Sequence, residues 1–168
     1  MLLADFQVSK SQKRVIQRNQ DLEVSFELPS CSDEIYSLYE NYINLRHSDG
    51  DMFPPSLDQF ESFLCQSPAA SNTRFVCFRL EQKLVAVAVI DMLPKGLSAI
   101  YTFFDPAYEV RSLGRFAVLW QIQWAQSQSI DFVYLGYWIK ECQKMAYKAE
   151  YRPLQVFEDL IWQPLTSG

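Results

Sequence analysis

At 168 residues, 49% hydrophobic and 15% aromatic, the chain has material for one packed domain over 1–168 and little room for a second core. Its net charge of −5 argues against a broad nucleic-acid-binding surface and against DNA as a partner. The apolar run "LVAVAVI" stops at Asp91, well short of the roughly 20 residues a membrane-spanning helix needs, and "MLLADFQVSK" meets an acid at Asp5 instead of continuing as a signal peptide would, so no membrane and a cytoplasmic location are expected.

In chain order, the first predicted element is basic. "SKSQKRVIQRN", within a segment at about 9–20, carries Lys10, Lys13, Arg14 and Arg18 and no acid; it fits either a solvated helix or an arm facing phosphates. "LEVSFEL" alternates as a half-buried strand does, and Pro29 closes it. "SDEIYSLYENYINLRH" changes to helical spacing, with Ser32 as cap, and Ser56 caps a shorter helix "LDQFESFLC". Three strands follow, "RFVCFRL", "LVAVAVIDML" and "GLSAIYTFF", joined by connections short enough to make them antiparallel neighbours. A helix is predicted from Ser112 to Ser129, then a strand "DFVYLGYW", a helix "IKECQKMAYKAE" ended near Pro153, and a last strand "LQVFEDLIW".

The order β-α-α-β-β-β-α-β-α-β is that of the GNAT acyltransferase fold, an α/β architecture with a mixed central sheet and helices on both faces. In that architecture the strand before the long helix and the strand after it splay apart. The notch between them holds an activated acyl donor, with free helix-start amides toward its phosphates. Here those elements are Leu97 to Phe104, Ser112 to Phe116 and Phe132 to Tyr137.

Cys31, Cys65, Cys77 and Cys142 are scattered, without the short Cys spacing of a zinc or iron-sulfur site, and there is one histidine. No metal and no resident cofactor are expected, and the thiols read as structural.

GNAT acetyltransferases wrap the coenzyme A pyrophosphate with an Arg/Gln-x-x-Gly-x-Gly/Ala loop. "RSLGRF" has one glycine, with Phe116 where the loop should end small, which leaves a coenzyme A-dependent N-acetyltransferase as an alternative only. "YENYINLRHSDGDM", "SAIYTFFDP", "RSLGRFAVLWQIQWA", "VYLGYWIKECQKMAYKAEYRP" and "FQVSKSQKRVIQRN" together resemble the C-terminal domain of the aminoacyl-tRNA-protein transferases, from about Phe6 to Pro153. The resemblance implies transfer of an amino acid from charged tRNA to the N terminus of a protein, marking it for degradation in the N-degron pathway. The wording "LGYWI" and "EC-x-KM-x-YK" resembles the bacterial branch, which donates leucine to N-terminal Asp or Glu; arginine is the donor in the eukaryotic branch. Aminoacyl-tRNA is then the co-substrate, and leucyl-tRNA and proteins with acidic N termini are the partners. Full-length members begin with a further domain holding a cysteine motif, and this sequence starts after it. A second alternative is therefore a catalytically incomplete domain that binds acidic N termini or tRNA.

Such a reaction has to align an amine with an ester, remove a proton and stabilise an oxyanion. An α-amine titrates at about 7.7–8.0, so a modest base is enough. Asp105, before Pro106, fits that task and fits equally a turn cap. Tyr101 and Tyr137 fit as hydroxyl donors or as packed aromatics. Ser112, Leu113 and Gly114 would offer amides to the donor phosphate, although Gly114 also suits close helix-to-sheet contact; Arg14 and Arg18 would meet tRNA backbone. An acidic N-terminal side chain calls for a cation such as Arg46, beside His47, with Asp49 or Asp51 for the substrate amine. Lys144, Tyr147 and Lys148, at helical spacing i, i+3 and i+4, would share a face toward substrate or acceptor arm.

Overall fold

Every residue from Leu84 to Ile90 is buried, so both faces of that strand must be covered. The computed structural model, which describes Met1 and residues 3–66, 71–139 and 143–165, shows how. Cys142 and the side chain of Lys144 lie outside the described residues. Five strands form one sheet in the spatial order β1 (Glu23–Glu27), β2 (Thr73–Leu80), β3 (Lys83–Leu93), β4 (Gly96–Phe104) and β5 (Phe132–Tyr134). β1 to β4 are antiparallel neighbours and β5 joins β4 in parallel, giving a mixed sheet.

Side-chain alternation along the strands supplies two cores. Val76, Phe78, Ala88 and Ile90 face Phe116, Leu119 and Ile122 of α4 (Leu113–Ser127), with α1 (Lys10–Arg18) packed alongside through Val15 and Ile16. Phe75, Cys77, Val87, Val89 and Phe103 face Ile35, Tyr39 and Ile43 of α2 (Asp33–Arg46) and Phe60 of α3 (Leu57–Phe60). Serine starts three of these helices: Ser9, Ser32 and Ser56 each accept a backbone N–H three residues on, and Ser9 completes a capping box with Gln12. α3 widens into a π turn, Glu61–Cys65. Among the described residues no helix is long and apolar enough to cross a membrane.

The chain beyond β5 departs from expectation. β5 stops at Tyr134 instead of running to Trp138. The predicted last helix is a 3₁₀ helix, Gln143–Glu150, so i, i+3 and i+4 no longer share a face. The predicted last strand is a separate hairpin, β6 (Gln155–Glu158) and β7 (Ile161–Pro164), turned at Asp159 and Leu160, whose φ values are 51° and 65°. Two positive φ angles make the tight hairpin turn that matches strand twist. Asp-Leu is a weak signal for it beside Asn-Gly, which is why alternation alone read through the turn. The cysteines are also less scattered in space than in sequence: the Cys31 and Cys65 sulfurs lie 2.7 Å apart, and burial pushes the Cys65 thiol up to about 12.

Two irregularities open the sheet at β4. Pairing with β5 covers Gly96, Leu97 and Ser98, opposite Phe132, Val133 and Tyr134, and among the described residues no strand pairs with the rest of β4 on that side. On the other side Val89 faces Tyr101 and Ile90 faces Ala99, leaving Ile100 as a bulge that re-aims the strand's outer half.

Candidate active site

β4 ends at Phe104, and a 3₁₀ turn, Pro106–Arg111, carries the chain to α4. Ser112 joins the two in the left-handed region, at φ 54° and ψ 47°, an uncommon conformation for a residue with a Cβ. Its N–H donates to the Glu109 carbonyl and its carbonyl accepts from Phe116, while its side chain caps nothing. The amides of Leu113, Gly114 and Arg115, in the first turn, therefore have neither an intrahelical acceptor nor a side-chain cap. A Cβ at Gly114 would lie 3.1 Å from the Phe104 ring, so glycine is what lets α4 start this close to β4.

A cavity of about 350 Å³ lies at this junction, lined by Thr102 and Phe104 of β4, Gly114, Arg115 and Val118 of α4, Tyr42, Arg46 and His47 of α2, and Tyr147. Arg46, at the C-terminus of α2, places its guanidinium 5.6 Å from the Phe104 ring centre and donates to Glu109 at 3.3 Å. It is 40% exposed, so this pair is screened and weak. The His47 ring Nε2 is 3.0 Å from the Tyr42 hydroxyl, and burial pushes the Tyr42 phenol up to about 12. Arg115 donates to Glu150 at 2.7 Å. The cavity thus combines two guanidiniums, an imidazole, a neutral phenol and, at its edge, the start of a helix that no side chain caps among the described residues.

Of the predicted residues, Arg46, His47, Gly114 and Tyr147 come together here. Leu113 is in the first turn with its side chain buried, and Ser112 is the joint behind it. Several others stand elsewhere. Asp105 lines neither this cavity nor the aromatic one described below; one of its oxygens accepts the Ala107 N–H at 3.0 Å and the other the Lys83 ammonium at 2.9 Å, so it has the turn-cap role. Tyr101, beyond the bulge, faces the α2 core against Tyr39, Tyr42 and Phe63, where burial raises its phenol. Tyr137 is 89% exposed and lies apart from Tyr101, in a second cavity with Lys148, whose ammonium donates to the Tyr137 carbonyl at 2.7 Å. Asp49 and Asp51 are exposed in the loop after His47 and line neither cavity. Arg18 donates to the Val110 carbonyl, tying α1 to the turn before α4, whereas Arg14 is exposed on α1.

Sequence reasoning missed Tyr42, Thr102 and Arg115. By spacing Tyr42 is one more packed ring on the buried face of α2, and only the fold shows that its ring is packed while its hydroxyl reaches His47. Arg115 sits inside "RSLGRF", beside a glycine already singled out, and was passed over in favour of the backbone.

Residues 34–158 match the family described as arginine-tRNA-protein transferase, C terminus. The chain belongs to that family. It is 52% identical over 160 residues to the aspartate/glutamate leucyltransferase of Stutzerimonas stutzeri, covering 95% of this chain and 67% of the relative. It is 50% identical over 167 residues to the protein of that name from Pseudomonas aeruginosa (strain LESB58), covering 98% and 69%. The chain thus spans about two thirds of those relatives' length. Membership makes it an aminoacyltransferase by family, with aminoacyl-tRNA as the co-substrate class. Among solved structures it is similar to the ribosomal-protein-S18-alanine N-acetyltransferase from Escherichia coli, with a TM-score of 0.52 at 16% identity over 76% of each chain. It is also similar to L-PGS from Bacillus licheniformis, with a TM-score of 0.57 at 12% identity over 89% of this chain and 50% of the other. At such identities the likeness concerns the fold, which is the GNAT acyltransferase fold.

Proposed function

We propose that this protein transfers leucine from leucyl-tRNA to the α-amine of proteins beginning with Asp or Glu, creating a degradation signal, and that the notch cavity is where the two substrates meet. The observation that carries the reading is the cation-lined cavity at the start of α4, in a chain about half identical to proteins named aspartate/glutamate leucyltransferase. Arg46 and Arg115 suit an acidic side chain, because a guanidinium presents its donors in a fork that matches a carboxylate. The amides of Leu113, Gly114 and Arg115 suit the terminal phosphate of the donor.

In the reaction the amine nitrogen attacks the ester carbonyl, the bond to the ribose oxygen breaks, and the amine's proton ends on that oxygen. No covalent intermediate with the enzyme is needed. The Tyr42–His47 pair is the proton-handling group within the cavity, in place of Asp105, whose oxygens are both engaged. A phenol held neutral donates to the developing oxyanion, and an imidazole accepts from an amine that is already partly deprotonated near pH 7.

The test is to incubate the chain with charged leucyl-tRNA and a peptide beginning with Asp or Glu and to detect the added leucine by mass. No mass shift, with the tRNA still charged at the end, rejects the reading. Arg46→Ala is expected to lower kcat/KM for an Asp peptide about 10- to 100-fold, the loss of a hydrogen bond to a charged group, while leaving an Ala peptide nearly unchanged.

A further inference from the structure

On the far side of the 3₁₀ helix is the second cavity, of about 430 Å³. Tyr147 lines the notch cavity and its neighbour Lys148 lines this one, so one turn of chain separates them. Its walls are the segment that leaves β5 and the β6–β7 hairpin, and they are aromatic: Tyr134, Tyr137, Trp138, Phe157 and Trp162. The Trp162 ring centre is 5.9 Å from Tyr134 and 5.2 Å from Phe157, in tilted pairs whose free faces open outward: Trp162 is 52% exposed and Phe157 54%. Gly136, at φ 75°, turns this segment beside the Ala99 carbonyl, at the point where β4 loses its partner. The cavity is therefore adjacent to the notch.

Its chemistry differs from that of the notch. A leucyl side chain alone would leave most of the space empty, and an acidic peptide end would meet one cation, Lys148, against the carboxylate of Glu158 and aromatic faces it cannot use. Flat faces of this number suit flat ligands. Bases of a single-stranded RNA end can splay out and stack on aromatic side chains, a contact that tolerates any base. The polar groups at the wall fit the same occupant. Among the described residues the buried Trp138 Nε1 has no hydrogen-bond partner, and a base or ribose acceptor would satisfy that donor. Glu158 can accept from an exocyclic amine, and Lys148 brings a cation to the rim for a backbone phosphate.

We propose that the aromatic cavity between the tail of β5 and the β6–β7 hairpin receives an unstacked nucleobase of the donor tRNA's single-stranded 3′ end. This rests on the tRNA-dependent reading above and adds a subsite to it.

The test is titration of the chain with a short single-stranded RNA ending in CCA, followed by tryptophan fluorescence. Quenching is expected. Trp162→Ala is expected to weaken binding about 5- to 100-fold, the measured range for losing one base–aromatic stack, and Trp162→Phe to restore most of it. Because Trp162 also packs on the hairpin, Tyr137→Ala, at a ring almost wholly in solvent, is the companion variant and should weaken binding in the same direction. Equal affinity of both alanine variants and the wild type, or equal affinity for an RNA whose terminal nucleotides are abasic, overturns the proposal. In transfer assays, loss of the subsite in Trp162→Ala is expected to raise the KM for tRNA and leave the KM for peptide alone. Normal transfer by Trp162→Ala with an unchanged tRNA KM sinks the subsite and spares the leucyltransferase reading. Trp162-dependent binding of the RNA without any transfer spares the subsite and sinks that reading.

Discussion

The two cavities are neighbours built by different means. The notch cavity draws its walls from β4, α2 and α4, whose inner residues are fully buried in two cores. The aromatic cavity is walled by irregular chain and a two-stranded hairpin outside the main sheet, with three of its five rings open to water. The charged groups line the cavity walled by the sheet and its helices, and the aromatic faces line the one walled by irregular chain and the hairpin.

That contrast breaks most visibly in stability. Phe103 has no exposed surface and is wedged between Tyr39 and Phe60 behind the notch, so Phe103→Ala should cost about 3–5 kcal/mol in urea unfolding. Phe157, 54% exposed on β6, should cost under about 1.5 kcal/mol on the same truncation. Equal losses would mean that the hairpin belongs to the main cooperative unit.

A smaller effect is expected with alkali. Burial raises the phenols of Tyr42, Tyr101, Tyr147 and Tyr151 above the ordinary value of 10, Tyr42 to about 12. Above pH 10 the unfolded chain releases protons that the folded chain keeps, so stability is complete below pH 10 and falls as pH climbs toward 12. Tyr42→Phe should flatten part of that fall and, by removing the hydroxyl from His47, slow transfer at neutral pH; an unchanged rate would exclude the hydroxyl from the chemistry.

The smallest effect concerns the rim away from both cavities. Arg79 holds the Glu34 carboxylate with two contacts of 2.8 Å and lowers its pKa. The stabilisation is present above the ordinary glutamate range and lost as pH falls below it. Glu34→Gln should remove under about 1 kcal/mol of acid-sensitive stability, because the pair is half in solvent. A larger loss would show that α2 is fixed from its N-terminus rather than by its core.

The regular half of the molecule was legible in sequence because one physical signal dominates there. Alternation marked β1, apolar runs set off by short turns marked β2 to β4, and serine caps marked α2 and α3, with strand boundaries one or two residues off. The charges of the notch were legible too: Arg46 and His47 end a helix, and Gly114 opens one. What could not be read was direction. Tyr101 and Thr102 are adjacent on β4, yet only Thr102 lines the notch, and which of them does so is decided by the bulge at Ile100, which no local pattern announces. Asp105 satisfied two roles on paper, and the neighbour that settles its geometry, Lys83, lies at the start of another strand. Beyond β5, two tyrosines docking in the core and a turn at Asp159–Leu160 override the helix and strand periods.

The Arg46–Glu109 contact has one more consequence on the reading proposed here. The cation for an acidic N terminus already holds a carboxylate of its own chain, so capture of a substrate is an exchange between two acids rather than the filling of an empty place. Most of the Coulomb attraction cancels in such a swap. Selection then falls to what the internal carboxylate cannot match from the end of a surface turn, namely two-pronged geometry and an amine delivered together with the acid.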